Sequence, residues 1–163
     1  MTTDIVLGSR VPSVKLGYLS DGAVAALSTD ALFAGVKSVV IGIPGAFTPV
    51  CSQQHVPDFV ANADRLSASG FAQLICIAPN DPFVLEAWRC QMDPHHKIRF
   101  LSDGNLDFSR ALGLSEAHND LFLGNRSKRY MLIVHDRTIQ RVRVETSILT
   151  YACTRADDVL IAA

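Results

Sequence analysis

No two cysteines in this chain are spaced C-x-x-C, which excludes the common zinc-ribbon and dithiol redox motifs at the outset. No apolar run approaches the roughly 18 residues that a membrane-crossing helix needs, so no membrane partner is expected. Neither sign of charge is in excess: 15 Lys and Arg face 16 Asp and Glu, for a formal charge of −1. There is no basic stripe interleaved with aromatics, and without that footprint nucleic-acid binding is not expected. Met1-Thr2-Thr3-Asp4 carries neither a basic n-region nor an apolar h-region, so no signal peptide is read there. Repeats, low-complexity tracts and an interdomain linker are also lacking. What is present is 163 residues, 48% of them hydrophobic, enough to bury one core without staples. The expectation is a single domain over residues 1–163, soluble and cytoplasmic.

The pattern along the chain alternates. Val14 to Leu19 reads as extended, with a turn at Ser20-Asp21-Gly22. Thr29 is read as the cap of a short helical turn through Phe33 that stops at Gly35. Ser38 to Ile43 and Gln73 to Ala78 are short apolar runs suited to strands buried on both faces. Between them, from about Pro49 to Gly70, Val56, Phe59, Val60, Ala63 and Leu66 recur at helical spacing, and Pro57 should kink that helix. Asn80-Asp81-Pro82 opens a further helix. Then follow a strand at Ile98–Leu101, a short helix at Leu106–Leu112, strands at Arg129–His135 and Ile139–Val144, and a last helix from Arg155 to Ile161 capped by Thr154. Such alternation predicts an α/β class with a central mixed β-sheet flanked by helices. A thioredoxin-like βαβαββα core with an N-terminal extension fits it best.

One segment carries chemistry. Pro44-Gly45-Ala46-Phe47-Thr48-Pro49-Val50-Cys51 lies between the C-terminal end of a predicted central strand and a helix start, the edge where open α/β sheets bind ligands. A cysteine in a first helical turn faces free backbone N–H groups and the positive end of the helix dipole, both of which favour thiolate. Thr48, three residues earlier, can bring a hydroxyl towards the sulfur, and Pro44 and Pro49 stiffen the loop. The competing reading of these features alone is a buried structural cysteine.

The run from Pro44 to Phe59, with Cys51-Ser52 and His55-Val56-Pro57 in place, resembles the active-site signature of peroxiredoxins of the type II, or peroxiredoxin-5-like, subgroup. The resemblance continues through Asn80-Asp81-Pro82-Phe83-Val84, Arg99 to Gly104, Ala111 to Leu114 and Gly124 to Tyr130. It implies a thioredoxin fold and a thiol-dependent reductase of hydrogen peroxide and alkyl hydroperoxides. By resemblance Cys51 is the peroxidatic cysteine, Thr48 the hydrogen-bonding threonine, Pro44 the shielding proline and Arg129 the arginine. Arg126 competes for that last role, and strand alternation turns Arg129 to the face opposite Tyr130. His55 matches a histidine typical of the subgroup and is read as supporting or structural. No cofactor or metal is implied. The reductant would be thioredoxin, glutaredoxin or a low-molecular-weight thiol, and the assembly a homodimer in which some of Phe47, Phe83 and Trp88 face the partner.

A sulfenic acid on Cys51 has to be reduced by a second cysteine or by an outside thiol. Cys153, in a predicted loop before the last helix, matches the resolving cysteine of some peroxiredoxin-5-like members, although Thr146-Ser147-Ile148-Leu149 replaces a glycine-rich stretch. Cys76 reads as a buried filler in mid-strand, although plant-like members also carry a cysteine there. Cys90 lies near a predicted helix end, close to His95-His96, and the group reads as a solvated surface turn rather than a metal site. The alternative function is a non-enzymatic redox sensor or interaction module on a thioredoxin scaffold. A disulfide oxidoreductase would need a cysteine where Gln54 stands.

Overall fold

The computed structural model describes residues 5–161; Met1–Asp4, including the segment read for a leader, lie outside the described residues. A hairpin comes first, β1 (Lys15–Ser20) and β2 (Ala23–Ser28), turning on Asp21-Gly22, both with positive φ. After α1 (Thr29–Leu32) come β3 (Lys37–Gly42), a π-helical turn (Cys51–His55) running straight into α2 (Val56–Ala68), and β4 (Gln73–Ala78). Next are α3 (Pro82–Met92), β5 (Arg99–Ser102) and α4 (Asp107–Ala111). A small ribbon of β6 (Ser115–His118) and β7 (Gly124–Ser127) precedes β8 (Tyr130–His135), β9 (Thr138–Val144) and α5 (Ala156–Leu160).

Seven strands form one mixed sheet in the order β2-β1-β5-β4-β3-β8-β9. The central neighbours β3, β4 and β5 run parallel, and β8 and β9 continue antiparallel from β3. Because side chains alternate along a strand, each central strand feeds two cores. Val39, Ile41, Leu74, Cys76, Met131 and Ile133 pack on the face covered by α2, α3 and α5. Val40, Ile75, Ile77, Tyr130, Leu132 and Val134 pack on the face covered by α1 and α4. Cys51 belongs to the first of these cores.

Several sequence expectations need local correction. Ser28, not Thr29, caps α1, accepting from Ala31 N–H at 3.1 Å. The Thr29 hydroxyl instead donates to Pro12 O at 2.6 Å, tying down the N-terminal extension. Arg155 occupies the cap position of α5, because the Thr154 hydroxyl is drawn to Glu145 Oε1 at 2.9 Å. β2 and the β6–β7 ribbon were not expected: neither shows apolar alternation strong enough to announce a strand, and pairing holds them. Asp81 caps α3 as expected, with its carboxylate taking the N–H groups of Phe83 and Val84 at 2.9 Å each. Trp88 is buried against Phe100 and donates to Ser52 Oγ at 3.1 Å, so it belongs to the core and not to an outer face. Cys90 is exposed in the last turn of α3, near the helix end as expected. Among the described residues no helix is long and apolar enough to cross a membrane.

Candidate active site

The loop after β3 is held by two side chains, Asn80 and Arg126. Asn80 Oδ1 accepts from Ala46 N–H at 2.7 Å, and Arg126 Nη1 donates to Pro44 O at 3.3 Å while its Nε donates to Leu123 O at 2.8 Å. A Cβ at Gly45 would fall 2.5 Å from Arg126 Nη1, so a side chain there would push that guanidinium away from Pro44 O. Phe47 turns the chain at φ 64°, a costly conformation for an aromatic residue, and leaves its ring outside. The helix then opens: Ser52 N–H reaches Thr48 O at 3.0 Å, which puts Cys51 in the first turn.

Sequence reading placed a kink at Pro57, and the structure places a π turn just upstream instead. Val56 N–H donates to Cys51 O, five residues back. Pro57 has no N–H for the Gln53 carbonyl and its ring would press on that group, so widening the turn before it relieves the conflict. The wider turn also carries the sulfur and the His55 ring into the core, where both are fully buried.

Arg129, 1% exposed and one residue before β8, projects onto the same sheet face as Met131, opposite Tyr130. Its Nη1 lies 3.3 Å from Cys51 Sγ and 3.1 Å from His55 Nδ1, and its Nη2 donates to Ile148 O at 2.8 Å. A buried guanidinium therefore points at the sulfur in a fixed orientation. Burial, and after it the charge of Arg129, pulls the His55 pKa down to about 3. The ring is neutral at pH 7, and Nδ1 accepts from Arg129, which assigns the proton to Nε2.

The low value has a stability consequence. In the unfolded chain His55 titrates near 6.5, so between about pH 6.5 and 3 the unfolded state binds more protons. The contribution is complete above 6.5 and is lost as pH falls towards 3. Urea midpoints should show the wild type losing about 2 kcal/mol more than His55→Asn between pH 6.5 and 4.5. Equal losses would mean that His55 does not titrate this way.

The other predicted residues are distributed as follows. Pro44 is buried, and Pro44, Thr48, Pro49 and Val50 form one wall of an apolar groove of about 270 Å³ closed by Leu121, Leu123, Ile148 and Leu149. The Thr48 hydroxyl donates to Gly45 O at 2.7 Å, not to the sulfur. That leaves its lone pairs as acceptors. Cys153 is half-buried: its thiol donates to Val144 O at 3.5 Å and its N–H to Glu145 Oε1 at 2.8 Å. Burial pushes that thiol's pKa up, and the Glu145 charge adds to it. Cys76 is fully buried, and burial, then the neighbouring Cys51, raises its pKa well above the ordinary range. Sequence reasoning missed Glu145, and also Tyr151 and Asp58, which hydrogen-bond to each other and press the Tyr151 ring to 5.1 Å from His55. Glu145 and Tyr151 stand singly in a loop and Asp58 reads as an ordinary first-turn acid of α2, so no pattern pointed to them.

The Redoxin family matches residues 7–160. The chain is similar to peroxiredoxin-2B of Arabidopsis thaliana, 35% identical over 157 residues that cover 96% of each protein. It is 39% identical over 149 residues to the chloroplastic peroxiredoxin-2E of the same plant, covering 89% of this chain but 64% of that protein's length. Among solved structures, reduced Prx3 of Vibrio vulnificus in complex with H2O2 superposes with a TM-score of 0.91 at 33% identity, covering 97% of this chain and 98% of the other.

Proposed function

The chain belongs to the Redoxin family and is a thiol peroxidase of the peroxiredoxin type, and on that premise we propose that Cys51 is its peroxidatic cysteine. The observation that carries this reading is the Arg129 guanidinium, buried and aimed at a buried sulfur from 3.3 Å. In the step proposed, the Cys51 thiolate attacks the nearer peroxide oxygen. An S–O bond forms, the O–O bond breaks, and the departing oxygen leaves as water or alcohol after taking a proton. Arg129 stabilises the charge that develops in the transition state, and the first-turn N–H groups add to it. Thr48, its proton committed to Gly45 O, accepts from the peroxide O–H and so orients it. Pro44 shields the sulfur. His55, neutral, serves as a hydrogen-bond rest for Arg129 and not as a base.

The apolar groove beside Thr48 supports alkyl hydroperoxides as substrates besides hydrogen peroxide. Cys153 is the proposed resolving thiol, giving an intramolecular disulfide for thioredoxin, glutaredoxin or a small thiol to reduce. The exposed rings of Phe47 and Phe83, 53% and 58% accessible, support a homodimer that covers them. We place the single domain in the cytoplasm, where reducing conditions keep such thiols free.

Consumption of hydrogen peroxide and of cumene hydroperoxide with each reductant in turn tests the proposal. Wild type should turn over with at least one, and Cys51→Ser should retain none of that activity. Residual turnover in Cys51→Ser would transfer the role to another sulfur.

A further inference from the structure

The segment that carries Cys153 is closed on a single carboxylate. Glu145, at the end of β9 and 6% exposed, receives at Oε1 the N–H groups of Ala152, Cys153 and Thr154 at 2.9, 2.8 and 3.0 Å and the Thr154 hydroxyl at 2.9 Å. Burial alone would push its pKa up, but the donors of Cys153, Ala152 and Thr154 together hold it below the usual range. Its own N–H donates to Arg129 O at 3.0 Å, fixing the base of the loop to β8. Midway round the loop the Ile148 carbonyl takes Arg129 Nη2. Thus one closed loop supports the arginine at Cys51 and also keeps the Cys153 thiol turned to Val144 O.

We propose that Glu145 is the latch of this loop: a positioning residue that withdraws Cys153 while Arg129 serves peroxide reduction, and whose release sets the pace of disulfide formation. The proposal rests on Cys153 being the resolving thiol for its second half only. In the resolving step the Cys153 sulfur attacks the Cys51 sulfenic sulfur. An S–S bond forms, the S–OH bond breaks, and the hydroxyl leaves as water with the Cys153 proton. Cys51 is fully buried and Cys153 is bound to the end of β9, so the four donors on Glu145 Oε1 must let go before the two sulfurs can meet within disulfide geometry. Charge-assisted bonds to a carboxylate are roughly twice as strong as neutral ones, which makes the ionised side chain the holding element.

Glu145→Gln keeps the shape and an acceptor oxygen but removes the charge. Two readouts test it on the full chain. In the reduced protein, iodoacetamide alkylation of Cys153, followed by mass spectrometry, should quicken by roughly tenfold. In a single turnover with hydrogen peroxide, conversion of the Cys51 sulfenic acid to the Cys51–Cys153 disulfide should quicken in proportion. A merely structural role would slow resolution or leave it unchanged. Removing the Glu145 charge also lowers the Cys153 pKa and so quickens alkylation by itself. Thr154→Val deletes one donor, preserves volume and keeps that charge; it should move both readouts the same way by less, and it decides the matter. Unchanged or slower alkylation of Cys153 in the folded variants overturns the latch. Faster alkylation with no Cys51–Cys153 disulfide in any protein, wild type included, supports the latch on Cys153 and overturns Cys153 as the resolving thiol.

Discussion

Arg129→Ala is expected to slow the oxidation of Cys51 by hydrogen peroxide by about 10²- to 10³-fold. The magnitude follows from what ionisation can supply. An ordinary thiol of pKa about 8.5 is about 3% thiolate at pH 7, so complete ionisation gains at most about 30-fold. A thiolate of lower pKa is also a weaker nucleophile, which trims that gain further. The larger part of the acceleration must come from orienting the O–O bond and stabilising the charge of the transition state. Arg129 is the buried cation in hydrogen-bonding contact with Cys51, and three partners fix it: the sulfur, His55 Nδ1 and Ile148 O. Arg129→Lys should recover only part of the loss, because one ammonium cannot reproduce the fork that spans Cys51 and Ile148 O. Stopped-flow rates taken across a thiolate titration separate the two contributions. A loss that disappears once the variant is fully ionised would confine Arg129 to an effect on ionisation.

Gly42→Ala should destabilise the fold by more than about 3 kcal/mol, the largest stability effect expected of a single methyl group here. Gly42 pairs directly with Tyr130 across β3 and β8, and the Tyr130 ring lies over its Cα. An added Cβ would stand 1.9 Å from Cε1, 2.1 Å from Cζ and 2.4 Å from Cδ1 of that ring. The ring is fully buried in the core that Leu132 and Phe33 share, so moving it aside would disturb that packing. The two strands could part only by breaking the ladder that sets Arg129 opposite Cys51. Urea unfolding measures the cost, and Tyr130→Ala in the Gly42→Ala background should cost less than in the wild type. Additive losses would show that the ring moves aside freely.

The site was legible where chemistry is written in adjacent residues. Thr48 and Cys51 share one loop-to-helix run, and the β8 alternation that turns Tyr130 one way turns Arg129 the other, onto the sulfur's face. The strands and helices of the central βαβ units were legible for the same reason: their apolar periods are strong and their caps, such as Asp81, are local. Features that depend on distant chain were not. Ser28 rather than Thr29 caps α1 because Thr29 is engaged by Pro12 and Val14. Thr154 fails to cap α5 because Glu145 claims its hydroxyl. The π turn at Cys51–His55 arises where Pro57 meets the demand to bury both Cys51 and His55, a conflict that periodicity alone reads as a kink. β2 holds its place through pairing with β1, and its composition is too small and mixed to announce it.

Treating the reduced protein with one equivalent of hydrogen peroxide, and mapping the oxidised residue by mass spectrometry after trapping sulfenic acids, tests the central claim most directly. Oxidation confined to Cys51, as a trapped sulfenic acid or as a disulfide that contains it, is the predicted result. An unmodified Cys51 beside oxidised Cys76, Cys90 or Cys153 would contradict it.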